Sequence, residues 1–246
     1  MTKDSLGDRM KEYEAVTRAR LMRRCPALLR VDGKAFHSLT RGMAKPWDPN
    51  LVAAMDATAH RLCEEIQGAA LAYVQSDEIS VLILDYAQIN TEAWFDAQIQ
   101  KMVSVGASFA SVAFNRSIAA AYPDKAGAVF DARVFSLPLH EVVNYFIWRQ
   151  QDAVRNSIQS LAQANFSARE IHGVNCDALQ EMLFSQRGIN WNDIPLPQKR
   201  GTVVRRVETE VDGTPRSKWE TDENIPTFTA DRAYINRFVY TGEMAR

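Results

Sequence analysis

A short polar interruption separates two apolar runs in the first half of the chain. The runs Ala69 to Val74 and Ile79 to Leu84 have the composition of buried β-strands, and Ser76, Asp77 and Glu78 lie between them. Burying a charged carboxylate costs several kcal/mol unless it is paired or binds a metal ion. The pattern therefore predicts two strands joined by an acidic turn, and it indicates that the carboxylates have a specific use.

Helical spacing and turn residues define the elements around this interruption. Apolar residues recur at helical spacing from Leu51 to Gln67, and Asp48 or Asn50 can cap this helix. The run Ala27 to Val31 predicts a strand that stops at Asp32-Gly33. The other predicted elements are a charged helix from Leu6 to Met22, a helix from Glu92 to Asn115, a strand from Ala128 to Phe135, helices from Leu139 to Asn165 and from Cys176 to Gln186, and a C-terminal hairpin that turns at Asp212-Gly213.

The order of elements up to Phe135 is β-α-β-β-α-β, which is typical of the ferredoxin-like split βαβ unit. We therefore predict an α+β fold, in which an antiparallel sheet with flanking helices is followed by a helical and β-hairpin extension. In this unit the first and third strands are central neighbours. Because Asp32 ends the first strand and Asp77 lies in the turn between the second and third, we expect both carboxylates at one edge of the sheet.

Composition limits the partners of the chain without changing the predicted fold. Of its 246 residues, 46% are hydrophobic and 24% are charged, and the formal net charge is -1, so binding a nucleic acid would need a local basic patch. No apolar run reaches the roughly 18 residues of a membrane span, and the charged first residues lack an apolar signal segment. Cys25, Cys63 and Cys176 are far apart, which we interpret as reduced thiols of a cytoplasmic protein.

Two carboxylates at a sheet edge suit either acid–base catalysis or the binding of a hard cation. Magnesium prefers carboxylates together with phosphate oxygens, and Gly33 and Lys34 beside Asp32 would let main-chain N–H groups and a cation approach a phosphate. Lys45 follows in a loop bracketed by prolines. An isolated Asp-Gly is usually just a turn, but the joint pattern favours phosphoryl transfer with metal ions. Further candidates for phosphate contacts are Lys101, Arg133 and Arg149.

A series of longer motifs resembles one protein family. The motifs are LLRVDGKAFHSLT, MAKPWD, AYVQSDEIS, SFASVAFN, FDARVF, WRQQDAVRNSI, LFSQRGINW and KRGTVV, and they extend from Ala27 to Val204. In this order they are similar to the tRNA-His guanylyltransferase family. Each motif is weak by itself, whereas the ordered set is specific.

The resemblance implies a polymerase-palm-like catalytic domain over residues 1–136 and an extension over residues 137–246. Members of the family add nucleotides to the 5′ end of tRNA in the 3′-to-5′ direction. A nucleoside triphosphate first activates the 5′ end, and the 3′-hydroxyl of the incoming nucleotide then attacks the activated phosphate. The implied partners are tRNA and ATP, GTP or other nucleoside triphosphates, and the implied assembly is a homotetramer built as a dimer of dimers.

The resemblance also implies roles for individual residues. Asp32 and Asp77 would bind two magnesium ions, with the carbonyl of Gly33 as a further ligand, and Glu78 would be a third catalytic acid. The residues implied to contact the incoming nucleotide are Gly33, Lys34, Ala35, Phe36, His37, Lys45 and Ser76. The residues implied to hold the activating nucleotide or the tRNA 5′ end are Lys101, Arg133, Arg149, Asp152 and Asn156.

One segment departs from the eukaryotic members of the family. Where these carry the block HINNLYN, residues 154–160 read VRNSIQS, so Val154 replaces the histidine and Asn156 keeps the first asparagine. This makes the chain more similar to the bacterial, archaeal and phage tRNA-His guanylyltransferase-like proteins. It favours template-directed repair of 5′-truncated tRNA, in which base pairing with the opposite strand selects the nucleotide.

Three alternatives remain open on the sequence alone. The first is a guanylyltransferase specific for tRNA-His. The second is a palm-type nucleotide cyclase, which would share the paired carboxylates but fits the C-terminal motifs poorly. The third is a tRNA-binding protein without catalytic activity, which fits poorly with the presence of both Asp32 and Asp77.

Overall fold

Six antiparallel strands form the central sheet of the protein. The structure, a computed structural model, describes residues 5–211 and 214–240. The strand order across the sheet is β4-β1-β3-β2-β5-β6. The strands are β1 (Ala27–Gly33), β2 (Ala69–Gln75), β3 (Glu78–Ile83), β4 (Phe130–Ser136), β5 (Thr202–Val211) and β6 (Thr214–Asp222). Strands β1 and β3 are direct neighbours, as the predicted βαββαβ unit requires.

Helices cover both faces of this sheet. Helices α3 (Pro49–Glu65) and α4 (Ile99–Ile118) lie on one face, and α5 (Val142–Asn165) lies on the other. The remaining helices are α1 (Ser5–Ala15), α2 (Phe36–Leu39), α6 (Ala168–Ile171), α7 (Cys176–Arg187), α8 (Leu196–Arg200) and α9 (Ala233–Val239). The prediction of an α+β fold with an antiparallel sheet and flanking helices is confirmed.

Alternation along β1 divides the core into two layers. Leu29 and Val31 point to α3 and α4, whereas Leu28 points to the opposite face and packs with Phe146 of α5. Successive side chains of a strand point to opposite faces. Arg30 and Asp32 therefore share the face of Leu28, so that the charged residues at the end of β1 lie on the α5 side of the sheet.

Several boundaries differ from those predicted from the sequence. The first helix ends at Ala15 rather than Met22; no residue of α1 is buried, so no packing supports further turns. The helix predicted from Glu92 begins at Ile99, because Phe95 and Asp96 adopt positive φ angles of 49° and 51° within a short preceding turn. It continues to Ile118 instead of ending at Asn115.

The predicted C-terminal extension shares the sheet with the predicted catalytic domain. Strand β5 pairs with β2, and β6 pairs with β5 in a continuous antiparallel register. The hairpin of the tail is therefore part of the sheet, while its predicted turn at Asp212-Gly213 lies outside the described residues. Residue 136 is the last residue of β4, and the helices that follow it lead to β5 and β6, which join the same sheet.

Two further sequence predictions concern the environment of the chain. Cys25, Cys63 and Cys176 are all free thiols. Within residues 5–211 and 214–240, no helix combines the length and apolar character needed to cross a membrane.

Candidate active site

The pairing of four strands places four polar side chains next to one another at the end of the sheet. Gln75 of β2 lies opposite Glu78 of β3, Glu78 lies opposite Asp32 of β1, and Asp32 lies opposite Asp131 of β4. We call these four residues the edge row. All of them point to the α5 side, because each is separated by an even number of positions from a strand residue that packs there.

A second row of residues lies one step further into the sheet on the same face. It consists of Tyr73, Ser80, Arg30 and Arg133, which are paired across β2, β3, β1 and β4. The hydroxyl of Ser80 is hydrogen-bonded to the hydroxyl of Tyr145 on α5 at 2.8 Å. Helix α5 thus covers the β2–β3 side of the face, and the strip above β1 and β4 carries the two arginines.

The main chain joins Asp77 to the end of β1. The N–H of Gly33 donates a hydrogen bond of 3.0 Å to the carbonyl oxygen of Asp77. In the turn, Ser76 has a positive φ of 50°, and its hydroxyl donates to the Asp77 carboxylate at 3.1 Å. Asp32 and Asp77 therefore lie at the same edge of the sheet. A non-glycine residue with positive φ is a mild strain that often marks a functional turn.

Negative charge accumulates at this edge. Burial raises the pKa of the Asp32 carboxyl, and repulsion from Asp77, Glu78 and Asp131 raises it further. Burial also raises the pKa of Asp77. Both shifts mean that the folded protein without a bound cation destabilises the ionised form of each carboxylate. A bound cation would stabilise the ionised form.

The described residues supply only part of a metal coordination shell. Within them, no group of three or more His, Cys, Asp or Glu side chains is arranged to hold a metal ion. Asp32, Asp77 and a main-chain carbonyl such as that of Gly33 remain as oxygen donors. This set fits magnesium, which is commonly bound by one or two carboxylates and completes its shell with water and substrate phosphates.

Glu78 is held by arginine rather than left open to a ligand. Arg149 of α5 donates from Nε to Glu78 Oε1 at 2.8 Å and from Nη2 to Asp152 Oδ2 at 2.6 Å. Glu78 and Arg149 are both 6% exposed. Arg30 lies on the other side of Glu78, with its Nε 3.8 Å from Oε2. The ion pair connects α5 to the edge row. Arg149 was predicted to contact phosphate, but its guanidinium is hydrogen-bonded to the carboxylates of Glu78 and Asp152.

The residues predicted to contact the incoming nucleotide have different surroundings. Lys34, Ala35 and His37 are exposed. Phe36, in contrast, is buried and packs against Phe114 and Phe130, with ring centroids 5.1 Å and 5.2 Å away. A nucleotide could therefore reach Phe36 only through its main chain.

Gly33 is required by the position of the Phe36 ring. A Cβ atom on Gly33 would overlap the ring carbons of Phe36. Since that ring is fixed in the core, the chain can place its main chain here only with a glycine.

Lys45 is exposed in a loop that is anchored at both ends. The buried carboxylate of Asp48 accepts hydrogen bonds from the N–H of Ala44 at 3.1 Å and from the hydroxyl of Tyr122 at 2.6 Å. It also caps α3 by accepting from the main-chain N–H groups of Asn50 and Leu51. Burial alone would raise the pKa of Asp48, but these hydrogen bonds lower it.

The structure does not bring every predicted phosphate contact to the same place. Lys101 lies near the start of α4, where Met102 lines a small cavity with Ala27 and Ile83, at the other end of the strands from Asp32. Asp32 lies five residue steps along the strand from Ala27, which corresponds to about 17 Å. Lys101 also lies on α4, which covers the opposite face of the sheet from the edge row, so within one chain Lys101 is far from Asp32.

Arg133 and Asn156 are positioned by different elements. Arg133 is half-exposed and forms an ion pair of 3.1 Å with Asp131 on the same strand. Asn156 is half-buried on α5, one turn beyond Asp152. Arg133 is therefore the predicted cation that the sheet places diagonally across from Asp32, whereas the role of Asn156 stays a prediction.

Sequence reasoning missed three residues at this surface: Asp131, Arg30 and Trp148. Asp131 and Arg133 alternate along β4, and Arg30 and Asp32 alternate along β1. This spacing of two was a usable signal that each pair shares a face. The alignment of Asp131 with Asp32 depends on the register between β1 and β4, which the sequence does not show.

Comparison with known proteins agrees with this architecture. A family model described as tRNAHis guanylyltransferase matches residues 7–138. The tRNA(His) guanylyltransferase of Debaryomyces hansenii is 30% identical over 197 residues, which cover 73% of this chain and 72% of that one.

Two solved structures extend the similarity over almost the whole chain. A bacterial tRNA(His) guanylyltransferase-like protein in complex with ATP is 46% identical, with a TM-score of 0.90, and the match covers 96% of this chain and 99% of that one. A bacterial protein of the same description in complex with GTP is 43% identical, with a TM-score of 0.83, and the match covers 96% and 100% of the two chains.

Proposed function

Since the chain belongs to the tRNAHis guanylyltransferase family and is a guanylyltransferase-like nucleotidyltransferase, we propose that it adds nucleotides to the 5′ end of tRNA in the 3′-to-5′ direction and serves mainly to repair 5′-truncated tRNA. ATP or another nucleoside triphosphate activates the 5′ end, and the opposite strand selects the nucleotide that is added. The observation that carries this proposal is the placement of Asp32 and Asp77 at the same end of the sheet, where the N–H of Gly33, the residue after Asp32, donates to the carbonyl oxygen of Asp77 at 3.0 Å.

Two magnesium ions fit the proposed reaction. When bound, magnesium would neutralise charge on the phosphates and on the attacking and leaving oxygens. Asp32, Asp77 and the carbonyl of Gly33 are the residues that would hold it. The pKa values of Asp32 and Asp77, which are raised mainly by burial, support this assignment, because a bound cation would offset the cost of the ionised carboxylates.

Two exposed lysines, Lys34 and Lys45, suit the binding of a triphosphate. Lys34 follows Gly33 directly, and the loop that carries Lys45 is braced by the hydrogen bond from Tyr122 to Asp48. Lysine binds phosphate as a point charge and needs no fixed planar geometry. We assign both lysines to the incoming nucleotide, whereas Arg133 on the β4 side is assigned to the 5′ end of the RNA.

The surroundings of Val154 support repair rather than recognition of a single tRNA. Val154 is half-buried and packs against a small apolar cluster of α5 and α7 that includes Leu161 and Leu183. An apolar side chain in this position has no hydrogen-bonding group with which to read a base. The relatives named tRNA(His) guanylyltransferase favour a second candidate, which is addition of guanylate to full-length tRNA-His.

Assembly and location are part of the same proposal. We propose a homotetramer, in which basic side chains from several protomers together bind one tRNA, because a single chain has a net charge of -1. Light scattering coupled to size-exclusion chromatography measures the mass of the assembly and tests whether it is a tetramer. The three free thiols fit a reducing compartment, and we place the reaction in the cytoplasm.

A single-nucleotide extension assay tests the function. The protein is incubated with magnesium, ATP and all nucleoside triphosphates, with either a tRNA that lacks its first nucleotide or full-length tRNA-His. We expect extension of the truncated tRNA, and the added nucleotide should change when the opposing base is changed. Addition to full-length tRNA-His alone would favour the second candidate.

Matched variants connect the assay to the site. Asp77→Ala should abolish extension, whereas Asp124→Ala, which removes an exposed carboxylate from a turn after α4, should leave it intact. Binding of tRNA without extension by the wild-type protein would favour a non-catalytic binding protein. Formation of a cyclic nucleotide without RNA would favour a cyclase.

A further inference from the structure

Trp148 on α5 is a large aromatic ring at the surface next to the edge row. Its relative exposure is 49%, although its neighbours Tyr145 and Arg149 on the same helix are buried. The ring lies 5.8 Å from the Tyr145 ring, and Tyr145 in turn lies 5.7 Å from Phe135 of β4. The guanidinium of Arg30 on β1 lies 5.8 Å from the Trp148 ring. Trp148 therefore lies above β1, and Tyr145 separates it from Phe135 of β4.

The ring is supported from beneath by charged groups. The guanidinium carbon of Arg149 lies 4.3 Å from the centroid of Trp148. Arg149 is itself fixed by its hydrogen bonds to Glu78 at 2.8 Å and Asp152 at 2.6 Å. Cation–π contacts of this kind hold an aromatic ring without burying it. Trp148 is thus held in place while about half of its surface stays open.

Arg30, whose guanidinium lies 5.8 Å from the ring, connects Trp148 to Arg133 and Asp32. Arg30 and Arg133 are direct cross-strand neighbours, and Arg30 lies two residues before Asp32 on the same face of β1. The side chain of Arg133 is 51% exposed, and its partner Asp131 is 57% exposed. An exposed ion pair contributes little stability, so a phosphate can replace Asp131 as the partner of Arg133 at low cost.

An exposed aromatic ring beside arginines is a surface that stacks on nucleobases. Proteins bind RNA ends and single strands by stacking bases on aromatic side chains while cations contact the backbone. About half of Trp148 is exposed, so a base that stacks here contacts a single aromatic ring. A free nucleoside held by one face would bind weakly, whereas an RNA end is already held elsewhere along its backbone. The surface therefore favours the end of an RNA over a separate nucleotide.

We propose that Trp148 stacks on the 5′-terminal base of the tRNA and thereby positions the terminal phosphate near Arg133 and Asp32. This inference rests on the proposed function, since it names the protein residue that holds the RNA end. It makes Trp148 a positioning residue that contacts the substrate and takes no part in the transfer of the nucleotide.

A double-mutant cycle between protein and RNA tests the contact. The affinity of wild type and Trp148→Leu is measured by fluorescence anisotropy for two versions of the truncated tRNA, one intact and one with an abasic 5′-terminal nucleotide. Removing the base should weaken binding to the wild-type protein by about fivefold or more. The same removal should have no effect on Trp148→Leu, and Trp148→Phe should retain most of the wild-type difference.

Phe184→Leu on α7 is the matched control, because Phe184 is also an exposed aromatic residue, with 60% relative exposure. It should respond to the abasic RNA as the wild type does. Equal effects of base removal on wild type and Trp148→Leu would overturn the inference while leaving the proposed function intact. Weakened ATP binding in Trp148→Leu without coupling to the RNA base would assign the ring to the free nucleotide and also overturn it. If the wild type bound neither RNA, the proposed function would fail together with the inference.

Discussion

Arg149 and Glu78 form a buried ion pair that connects α5 to the end of the central sheet. The Nε of Arg149 donates to Glu78 Oε1 at 2.8 Å, and both residues are buried. Glu78 follows Asp77 directly and lies opposite Asp32 on β1. The pair therefore holds the residue that lies next to both Asp77 and Asp32, which makes it a structural support of the candidate active site.

Arg149→Met should destabilise the protein by about 3 kcal/mol, because it leaves the Glu78 carboxylate buried without its main partner. Urea denaturation followed by circular dichroism measures the change in the free energy of unfolding. Adding Glu78→Gln to Arg149→Met should recover part of the loss, since the unpaired charge is then removed. Arg61→Met removes an exposed arginine that pairs with Glu65 along α3 and should cost less than about 1 kcal/mol. Strictly additive effects of the two substitutions at positions 78 and 149 would contradict this account.

Gly33→Ala should lower the free energy of unfolding by about 1 to 3 kcal/mol through overpacking against the buried Phe36 ring. It should also reduce nucleotide addition, because the displaced main chain carries the carbonyl proposed as a metal ligand. Gly127→Ala is the control, since a Cβ there meets no atom within 4 Å. Phe36→Leu in the same chain should restore part of the stability of Gly33→Ala. Equal stability of Gly33→Ala and Gly127→Ala would show that the predicted overlap is relieved at no cost.

The sequence was sufficient to predict that Asp32 and Asp77 lie at the same end of the sheet, because the order of elements determines which strands are neighbours. It was not sufficient for Asp131, whose place opposite Asp32 depends on the register between β1 and β4. The same limit applies to side-chain partners. Phe36 occurs in a motif that resembles a nucleotide site, yet its ring belongs to the core.

The cationic residues show a second limit of sequence reasoning. Lys101, Arg133 and Arg149 could be recognised as cations, but sequence spacing does not show what each one faces. Lys101 lies on the opposite helical layer, Arg133 lies beside the edge row, and Arg149 is occupied by Glu78 and Asp152. Such differences arise from packing between distant segments, which a single sequence does not display.

Tyr122→Phe should weaken the loop that carries Lys45, because it removes the 2.6 Å hydrogen bond to the Asp48 carboxylate. The folded protein lowers the pKa of Asp48 below its ordinary value of 3.8. The stability that this carboxylate contributes is therefore present above pH 3.8 and is lost as the pH falls through the lower, folded value. The difference in unfolding free energy between wild type and Tyr122→Phe should follow the same course.

Hydrogen exchange gives an independent measurement of this loop. The amide of Ala44 donates to Asp48 at 3.1 Å and should exchange faster in Tyr122→Phe than in the wild type. The amide of Phe114, within α4, should exchange at the same rate in both proteins. A difference in unfolding free energy that stays constant from neutral pH to well below pH 3.8 would show that Tyr122 acts through packing and not through Asp48.

Asp32→Asn should increase stability in the absence of metal while reducing nucleotide addition by roughly 100-fold or more. Burial and the neighbouring carboxylates raise the pKa of Asp32 above 3.8, so the folded protein binds its proton more tightly than the unfolded chain does. Stability should therefore fall in the wild type as the pH rises from 3.8 through the raised value, and Asp32→Asn should lack this loss.

Adding magnesium at neutral pH should raise the melting temperature of the wild type but have little effect on Asp32→Asn. Asp124→Asn, at an exposed turn, should behave as the wild type in both measurements. If magnesium stabilised wild type and Asp32→Asn equally, the ion would bind elsewhere and the assignment of Asp32 as a ligand would be wrong.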